Sequence, residues 1–311
     1  MSFELNWLVL AIMAASLWAL VNILDKEILT GKKITIPARQ IFDSVVGLLT
    51  VLALIPYASL PDVTLAGLGI WGGLLIFIFN NYYYNSLQQG SVSSVSIHLQ
   101  LIPIFTAIIG FLLFGERFGT TTYWGAVLII SGAVLVSIER GADGKFTLFL
   151  SRNMHVLWRY MLPAALFMSI NYGINKELLG QNSILNVYLW GRVGTALGGF
   201  GLYIFSTEVR KECHILVYKR ENRLLFSIFI VELFNILGIW FLTAAYAVGA
   251  ITLVATTAST QPLLVIILLF VFAVFRKTDI LTDFSASWRV LVSRLTAASL
   301  QIAGIYFLLG G

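Results

Sequence analysis

The stretches 18-WALVNILDKEIL-29 and 168-MSINYGINKELL-179 decide the fold of this 311-residue chain. When the two are aligned, Lys26-Glu27 falls on Lys176-Glu177 at an offset of 150 residues. Four further matches follow in the same order: Arg39 with Arg192, Gly90 with Gly249, Pro103 with Pro262, and Gly132 with Gly304. Matches that keep their order along a whole chain are typical of an internal repeat. We therefore predict two similar halves, residues 1–140 and 159–311, joined by a connecting loop at 141–158.

The composition is that of a membrane protein. Only 11% of the residues are charged and 59% are hydrophobic, with a mean hydropathy of +0.89. Soluble domains carry about a quarter charged residues, so this chain has too few to cover a water-facing surface. The same figures exclude a disordered chain and, with Cys213 as the single cysteine, a disulfide scaffold. The net charge of +5 does not indicate a nucleic-acid partner, because the basic residues cluster between apolar runs.

Ten apolar runs are each long enough for a transmembrane helix, which needs about 20 apolar residues. Runs this continuous differ from the weak alternating segments of a membrane β-barrel. We therefore predict ten helical spans, numbered 1 to 10 in chain order. Their ranges are 6–29, 39–58, 64–88, 92–114, 120–138, 159–179, 184–206, 223–248, 251–275 and 289–309.

The repeat predicts an inverted topology. Each half holds five spans, and because five is odd, the second half enters the membrane from the opposite side to the first. Such inverted repeats are common in secondary transporters, whose substrate sites lie near the midplane between the halves. The predicted fold is an all-α integral membrane protein with ten helices, two inverted five-helix repeats and a central cavity. The G-x-x-x-G pairs Gly69/Gly73 and Gly194/Gly198 are expected to let helices pack closely inside this bundle.

The chain resembles the drug/metabolite transporter superfamily, in its ten-helix EamA-type branch. The resemblance rests on the Lys-Glu pairs, on Arg39 and Arg192, and on the Gly-to-Pro hairpins 90–103 and 249–262. It implies export or exchange of a small metabolite, often an amino acid, a base or a cationic compound. It also implies that both termini lie in the cytoplasm.

The basic residues predict the opposite orientation. Fifteen Lys and Arg residues lie in or beside the odd-numbered loops, against Arg117 alone on the other side. The positive-inside rule would place the odd loops in the cytoplasm and both termini outside. The two indications conflict, so the sequence leaves the orientation open. We expect a multi-pass protein of the bacterial inner membrane, with the mixed-charge segment 207–222 at the lipid headgroups.

Glu232 is the most prominent ionisable residue at depth. It lies nine positions after Arg223, about 14 Å along span 8 at 1.5 Å per residue. Intramembrane carboxylates are costly and usually functional. We predict that Glu232 couples proton movement to transport or binds a cationic substrate. The alternative is a structural carboxylate hydrogen-bonded to a neighbouring helix.

Polar side chains on several spans are the candidate substrate ligands, because amides, phenols and indoles at depth suit the wall of a wet cavity. The alternative for some of them is an interfacial or structural role, above all for His98, the one histidine among the candidates. The candidates are Trp18, Asn22, Asn81, Tyr84, His98, Gln100, Asn171, Tyr172, Asn235, Thr257 and Gln261.

Two prolines and two arginines are candidates for structural or gating roles. Pro103 and Pro262 each free a backbone carbonyl four residues earlier and can kink their helices. Arg39 and Arg192 could close a gate with carboxylates or hold lipid headgroups. The cluster at residues 25–27 is expected at the membrane interface, where long side chains reach the headgroups.

These features favour a secondary active transporter, not an enzyme, that moves a small polar or aromatic metabolite. A flippase for a lipid-linked substrate is the alternative. It would need a lateral opening and a basic headgroup site such as Arg192 or Arg294. A membrane enzyme would need a cluster of His, Asp or Arg at one interface, and the three histidines are scattered. We expect no cofactor or metal, contact with membrane lipid, and a monomer, with a dimer as the alternative.

Overall fold

The computed structural model describes residues 6–30, 34–59, 62–89, 92–99, 101–136, 157–219 and 221–276, with single positions between 296 and 307. Helices make up nearly all of this part of the chain, and it contains no strand. The helices are α1 Trp7–Thr30, α2 Ile36–Leu54, α3 Val63–Gln89, α4 Val92–His98, α5 Leu101–Phe114, α6 Thr120–Val136, α7 Leu162–Leu179, α8 Ile184–Phe205, α9 Thr207–Tyr218, α10 Asn222–Val248, α11 Ile251–Ala258 and α12 Gln261–Arg276.

The helices identify an integral membrane protein. Four stretches of the described residues are long and apolar enough to cross a bilayer: Trp7–Leu29, Ile36–Tyr57, Val63–Gln89 and Asn222–Val248. Shorter apolar helices include Leu101–Phe114. Helices occupy nine of the predicted spans, whereas span 10 lies mostly outside the described residues. The total of ten spans therefore stays a prediction, as does the loop at 141–158.

The two predicted prolines coincide with breaks in their helices. Span 4 is split into two helices: α4 ends at His98, and α5 begins at Leu101. Span 9 is split in the same way, between Ala258 and Gln261. Proline lacks the amide hydrogen and clashes with the preceding turn, so both breaks fall just before Pro103 and Pro262. The predicted distortion is confirmed at both positions.

The two predicted halves pack against each other through helices at corresponding positions. Helix α1 packs along α10, and its repeat counterpart α7 packs along α3. Helix α2 packs along α8, its own counterpart, and α8 also crosses α3. The crossing is close: a Cβ atom on Gly194 would lie 2.9 Å from the Cα of Gly73. The predicted role of these glycines in tight packing within the bundle is confirmed.

The two repeat lysines hold equivalent backbone positions. Lys26 Nζ donates to the carbonyl of Leu87, 2.7 Å away, at the end of α3. Lys176 Nζ donates to the carbonyls of Tyr246 and Gly249 at 2.8 and 2.9 Å, at the end of α10. Leu87 and Tyr246 are 159 residues apart, the offset of the hairpin glycines and prolines. Each half therefore ties its first helix to its third through the same contact.

Contacts between loops follow the predicted sides. Thr35, between α1 and α2, donates its backbone N–H to Glu212 on α9 at 2.8 Å. At the other end of the helices, Asn186 Nδ2 donates to Ser59 Oγ at 2.8 Å. Segments predicted to share a membrane face are thus in contact with each other.

Helix α9 is a feature that the sequence analysis did not predict. Residues 207–218 form a helix beside α2 and α8, and Cys213 and Leu216 are buried on its inner side. Ser206 caps its N-terminus by accepting from the N–H of Val209 at 3.4 Å. An amphipathic helix at a membrane surface is typical of such a segment.

Candidate solute cavity

A cavity of about 90 Å³ lies where the two halves meet. It is bordered by α1, α3 and the break between α4 and α5 from one half, and by the equivalent α7, α10 and α11–α12 break from the other. Its lining mixes aromatic rings, amides and one carboxylate. The lining residues are Trp18, Val21, Asn22, Asp25, Ile76, Phe79, Asn80, Tyr83, Tyr84, Leu99, Ile102, Pro103, Met168, Tyr172, Asn235, Ile239, Ala255, Ala258, Ser259 and Gln261.

Six of the predicted ligands border this cavity. They come from α1, α3, α7, α10 and the start of α12, so no single helix supplies them. They are Trp18, Asn22, Tyr84, Tyr172, Asn235 and Gln261. Pro103, predicted for a structural or gating role, borders the cavity as well.

The two predicted ligands on α3, Asn81 and Tyr84, belong to two different sites. Tyr84 faces the central cavity, whereas Asn81 lines a separate pocket of about 500 Å³ with Asn85, Gln88 and Glu212. Asn81 Nδ2 donates to Gln40 Oε1 at 3.1 Å. Asn81 is thus a wall of this outer pocket and not of the central cavity.

Four other predicted positions lie away from the lining. Asn171 Nδ2 donates to the carbonyl of Gly72 at 3.0 Å and so joins α7 to α3. Thr257 is fully buried, and His98 is partly buried at the end of α4. Pro262 is buried just beyond the α11–α12 break. Gln100 lies outside the described residues.

Arg39 sits between two carboxylates. Its Nη2 lies 2.8 Å from Asp25 Oδ1, and its Nη1 is ion-paired with Asp43 Oδ1. Tyr84 donates its hydroxyl to Asp43 Oδ2 at 2.7 Å, and its ring lies 5.5 Å below the guanidinium carbon of Arg39. All four side chains are buried. This arrangement, the Arg39 cluster, reaches the cavity through Asp25 and Tyr84.

Arg192 has a single carboxylate partner. Its Nη1 lies 3.0 Å from Glu232 Oε1, and its Nε donates to the hydroxyl of Tyr188 at 3.4 Å. Asn235 Nδ2 donates to Glu232 Oε2 at 3.1 Å, and Asn235 Oδ1 accepts from the Trp18 indole at 3.2 Å. Glu232 is 1% exposed and does not border the cavity. It is linked to the cavity through Asn235 and Trp18.

Three residues at the cavity or in the Arg39 cluster were missed or misplaced by sequence reasoning. Asp25 is buried at 1% exposure and borders the cavity, so the prediction that it lies at the interface is wrong. Burial is possible because Arg39 compensates its charge. Asp43 was missed in span 2. Tyr83 was not among the predicted ligands, but it borders the cavity and donates to Asn22 Oδ1.

The comparisons with known proteins assign the first half. Residues 5–138 match the model of the EamA-like transporter family. These residues, slightly less than half of the chain, are similar to that family. The resemblance to the drug/metabolite transporter superfamily is thereby confirmed. The EamA-like family indicates a membrane transporter of the drug/metabolite type and is generally a family of non-enzymes.

A comparison of structures extends the likeness to both halves. A solved structure described only as "Crystal structure of protein" has a TM-score of 0.65, covering 97% of this chain and 95% of its own, at 14% identity. At this identity the likeness concerns the fold alone. In total, 28 chains of solved structures match this chain. No curated protein matches the chain.

Glu116 is a further residue that the sequence analysis missed. It lies between α5 and α6 and caps the N-terminus of α11: its Oε1 accepts from the N–H of Ile251 at 2.6 Å. Its Oε2 accepts from the N–H and the hydroxyl of Thr252 at 3.1 and 2.6 Å. A carboxylate at a helix N-terminus is stabilising. Glu116 and Lys176 together hold the connection between α10 and α11 from two sides.

Proposed function

We propose that the protein is a secondary active transporter that moves a small polar or aromatic metabolite, such as an amino acid, by alternating access. The observation that carries the proposal is the cavity bordered by equivalent helices of both halves, at the two helix breaks. Discontinuous helices at a shared central cavity are a recurrent feature of substrate sites in secondary transporters. The EamA-like match over residues 5–138 supports the same class.

An inverted repeat would supply the two conformations. The equivalent contacts of Lys26 and Lys176 support it, as do the equivalent packing of α1 on α10 and of α7 on α3. Rocking one half against the other would open the cavity to one side at a time. Because one chain forms the whole cavity, we propose that the monomer is the functional unit.

The charge distribution supports one of the two orientations. We propose that the odd-numbered loops face the cytoplasm of a bacterial inner membrane. The fifteen basic residues on that side support this orientation. The contact of Thr35 with Glu212 is consistent with it, because two basic segments that touch each other would lie on one side of the membrane.

A flippase for lipid-linked substrates is less well supported. Among the described residues, no Lys or Arg lines the cavity of about 90 Å³, so it lacks the basic site that an anionic lipid headgroup would need. Arg192, the candidate headgroup site, is buried and paired with Glu232.

Proton coupling through Glu232 is part of the proposal. Supporting it are the burial of Glu232 and its link through Asn235 to a cavity residue, Trp18. Glu232→Gln keeps the size of the side chain but removes the carboxylate partner of buried Arg192, so it should be less stable than the wild-type protein and its folding is checked before transport is measured. Without the third carboxylate it should lose uphill transport.

The test begins with the purified protein and a thermal-stability screen of the twenty standard amino acids and undecaprenyl phosphate. A stabilising amino acid is then used in proteoliposomes under an imposed pH gradient. We expect accumulation by the wild-type protein and by the exposed-site control Asp62→Asn, and only equilibration by Glu232→Gln. Wild-type accumulation by Glu232→Gln would refute its role, and stabilisation by undecaprenyl phosphate alone would favour the flippase.

A further inference from the structure

The buried charges of the described residues do not balance. Five charged side chains are buried in this part of the chain: Arg39, Arg192, Asp25, Asp43 and Glu232. Two are cationic and three are anionic, so the fully ionised set carries one surplus negative charge. A surplus charge in a low-dielectric interior is costly unless a partner neutralises it.

The surplus lies at the Arg39 cluster. Arg192 and Glu232 form a pair of one cation and one anion at 3.0 Å. Arg39 instead contacts two carboxylates, Asp25 and Asp43, which have one guanidinium between them. One of these two is therefore the carboxylate that needs a further positive charge.

Asp25 is the member of the pair that a solute can reach. It borders the central cavity, whereas Asp43 and Glu232 do not. Asp43 has one oxygen on Arg39 and the other on the Tyr84 hydroxyl. Both oxygens of Glu232 are also engaged, by Arg192 and by Asn235.

The remaining ionisable groups around Asp25 do not supply the missing charge. From α2 it faces Arg39 and Asp43, from α3 it faces Tyr83 and Tyr84, and from α10 it faces Glu232. The two tyrosines are neutral donors, and their hydroxyls are directed to Asn22 and to Asp43. None of these described groups adds a second positive charge, and the cavity is a route by which one can reach Asp25.

We propose that Asp25 is the residue at which the cavity takes up one positive charge, either a proton or the ammonium group of a small amine. Charge uptake rests on the proposed function in one respect: a carrier must open this cavity to let the charge enter and leave. The cavity suits an aromatic amine, because Trp18 and Tyr172 offer ring faces that attract cations. Asn22 and Asn235 offer hydrogen-bonding amides.

Infrared spectroscopy of the purified full-length protein tests the proton. Difference spectra between low and high pH should contain the C=O stretch of a protonated carboxyl group. Asp25→Asn should abolish this band, and Asp25→Glu, which keeps the charge, should shift it. The matched variants Asp43→Glu and Glu232→Asp should leave its position unchanged. A band that shifts in either matched variant and not in Asp25→Glu overturns the proposal.

Binding of tryptamine to the same protein tests the amine. Indole-3-propionate, of similar size and opposite charge, is the control ligand. If the charge is an ammonium group, calorimetry should detect tryptamine and not indole-3-propionate, with binding weaker at low pH because protonated Asp25 no longer attracts it. Asp25→Asn should weaken tryptamine binding at least tenfold, whereas Asp62→Asn should change it less than twofold.

The two arms decide the source of the charge. A titrating band without tryptamine binding identifies the proton, and tryptamine binding that depends on Asp25 identifies the amine. The proposal is overturned if the spectra contain no titrating band and tryptamine does not bind. It is also overturned if there is no titrating band and Asp25→Asn and Asp62→Asn bind tryptamine equally. Both measurements use protein in detergent and need no transport. They can therefore succeed if the transporter proposal fails, and fail if it succeeds.

Discussion

The two halves hold their repeat arginines in different charge environments. Arg39 contacts two carboxylates, Asp25 and Asp43, whereas Arg192 contacts Glu232 alone. At the repeat offsets, Asp25 corresponds to Asn175, Asp43 to Ala196 and Glu232 to Gly73, so none of the three carboxylates is repeated. In contrast, the lysine contacts and the helix breaks occur in both halves.

This difference distinguishes the residues that hold the helices together from the residues that carry the buried charge. The features that are present twice hold helices together, and a symmetric scaffold suits a protein with two mirrored conformations. The features present once are buried carboxylates, of which Asp25 borders the cavity. An asymmetric charge beside a symmetric cavity gives the two halves unequal roles: the first would bind the cation and the second would supply a balanced ion pair.

Removing each arginine in turn should give the largest losses of stability. Arg39→Ala leaves Asp25 and Asp43 without their cation, whereas Arg192→Ala leaves only Glu232 without one. Removing one partner of a buried ion pair costs about 3–5 kcal/mol, and Arg39→Ala should cost more because it strands two carboxylates. Thermal unfolding in detergent measures both.

A rescue variant provides the control for the arginine series. Adding Asp25→Asn and Asp43→Asn to Arg39→Ala removes the stranded charges and should restore much of the stability. A larger loss for Arg192→Ala than for Arg39→Ala would contradict the charge asymmetry.

Removing each repeat lysine should have a smaller and similar effect. Lys26→Met and Lys176→Met each remove hydrogen bonds from an ammonium group to backbone carbonyls. Hydrogen bonds to charged groups contribute about 1.5–3 kcal/mol, so both variants should unfold at lower temperature by comparable amounts. The exposed control Lys211→Met should change the free energy of unfolding by less than about 0.5 kcal/mol. If only one lysine matters, the two contacts are not equivalent.

The helices could be predicted from the sequence because lipid requires long apolar runs. Span 8 was predicted at 223–248, and its helix is Asn222–Val248. The breaks at Pro103 and Pro262 were predictable for a similarly local reason, the missing amide hydrogen. Helix α9 was missed because its longest apolar run, residues 215–218, is far too short to span a membrane.

The polar site was less predictable because it depends on partners distant in sequence. Asp25 lies at the polar end of an apolar run, and only its contact with Arg39 explains why it is buried. Asn81 and Tyr84 share a helical stripe, but α2 places Gln40 on one and Asp43 on the other. Glu116 lies in a short polar loop, and its role depends on α11, 135 residues away along the chain.

Cysteine accessibility tests most directly whether the shared cavity is exposed alternately to the two sides of the membrane. The native thiol is a weak competitor, because burial raises the pKa of Cys213 to about 11, and Cys213→Ala removes it. In that background, Gln261→Cys places a single thiol in the cavity wall of the second half. A membrane-impermeant maleimide is then added to sealed vesicles of each orientation. The account predicts labelling from both sides of the membrane; labelling from one side only, or from neither, would contradict it.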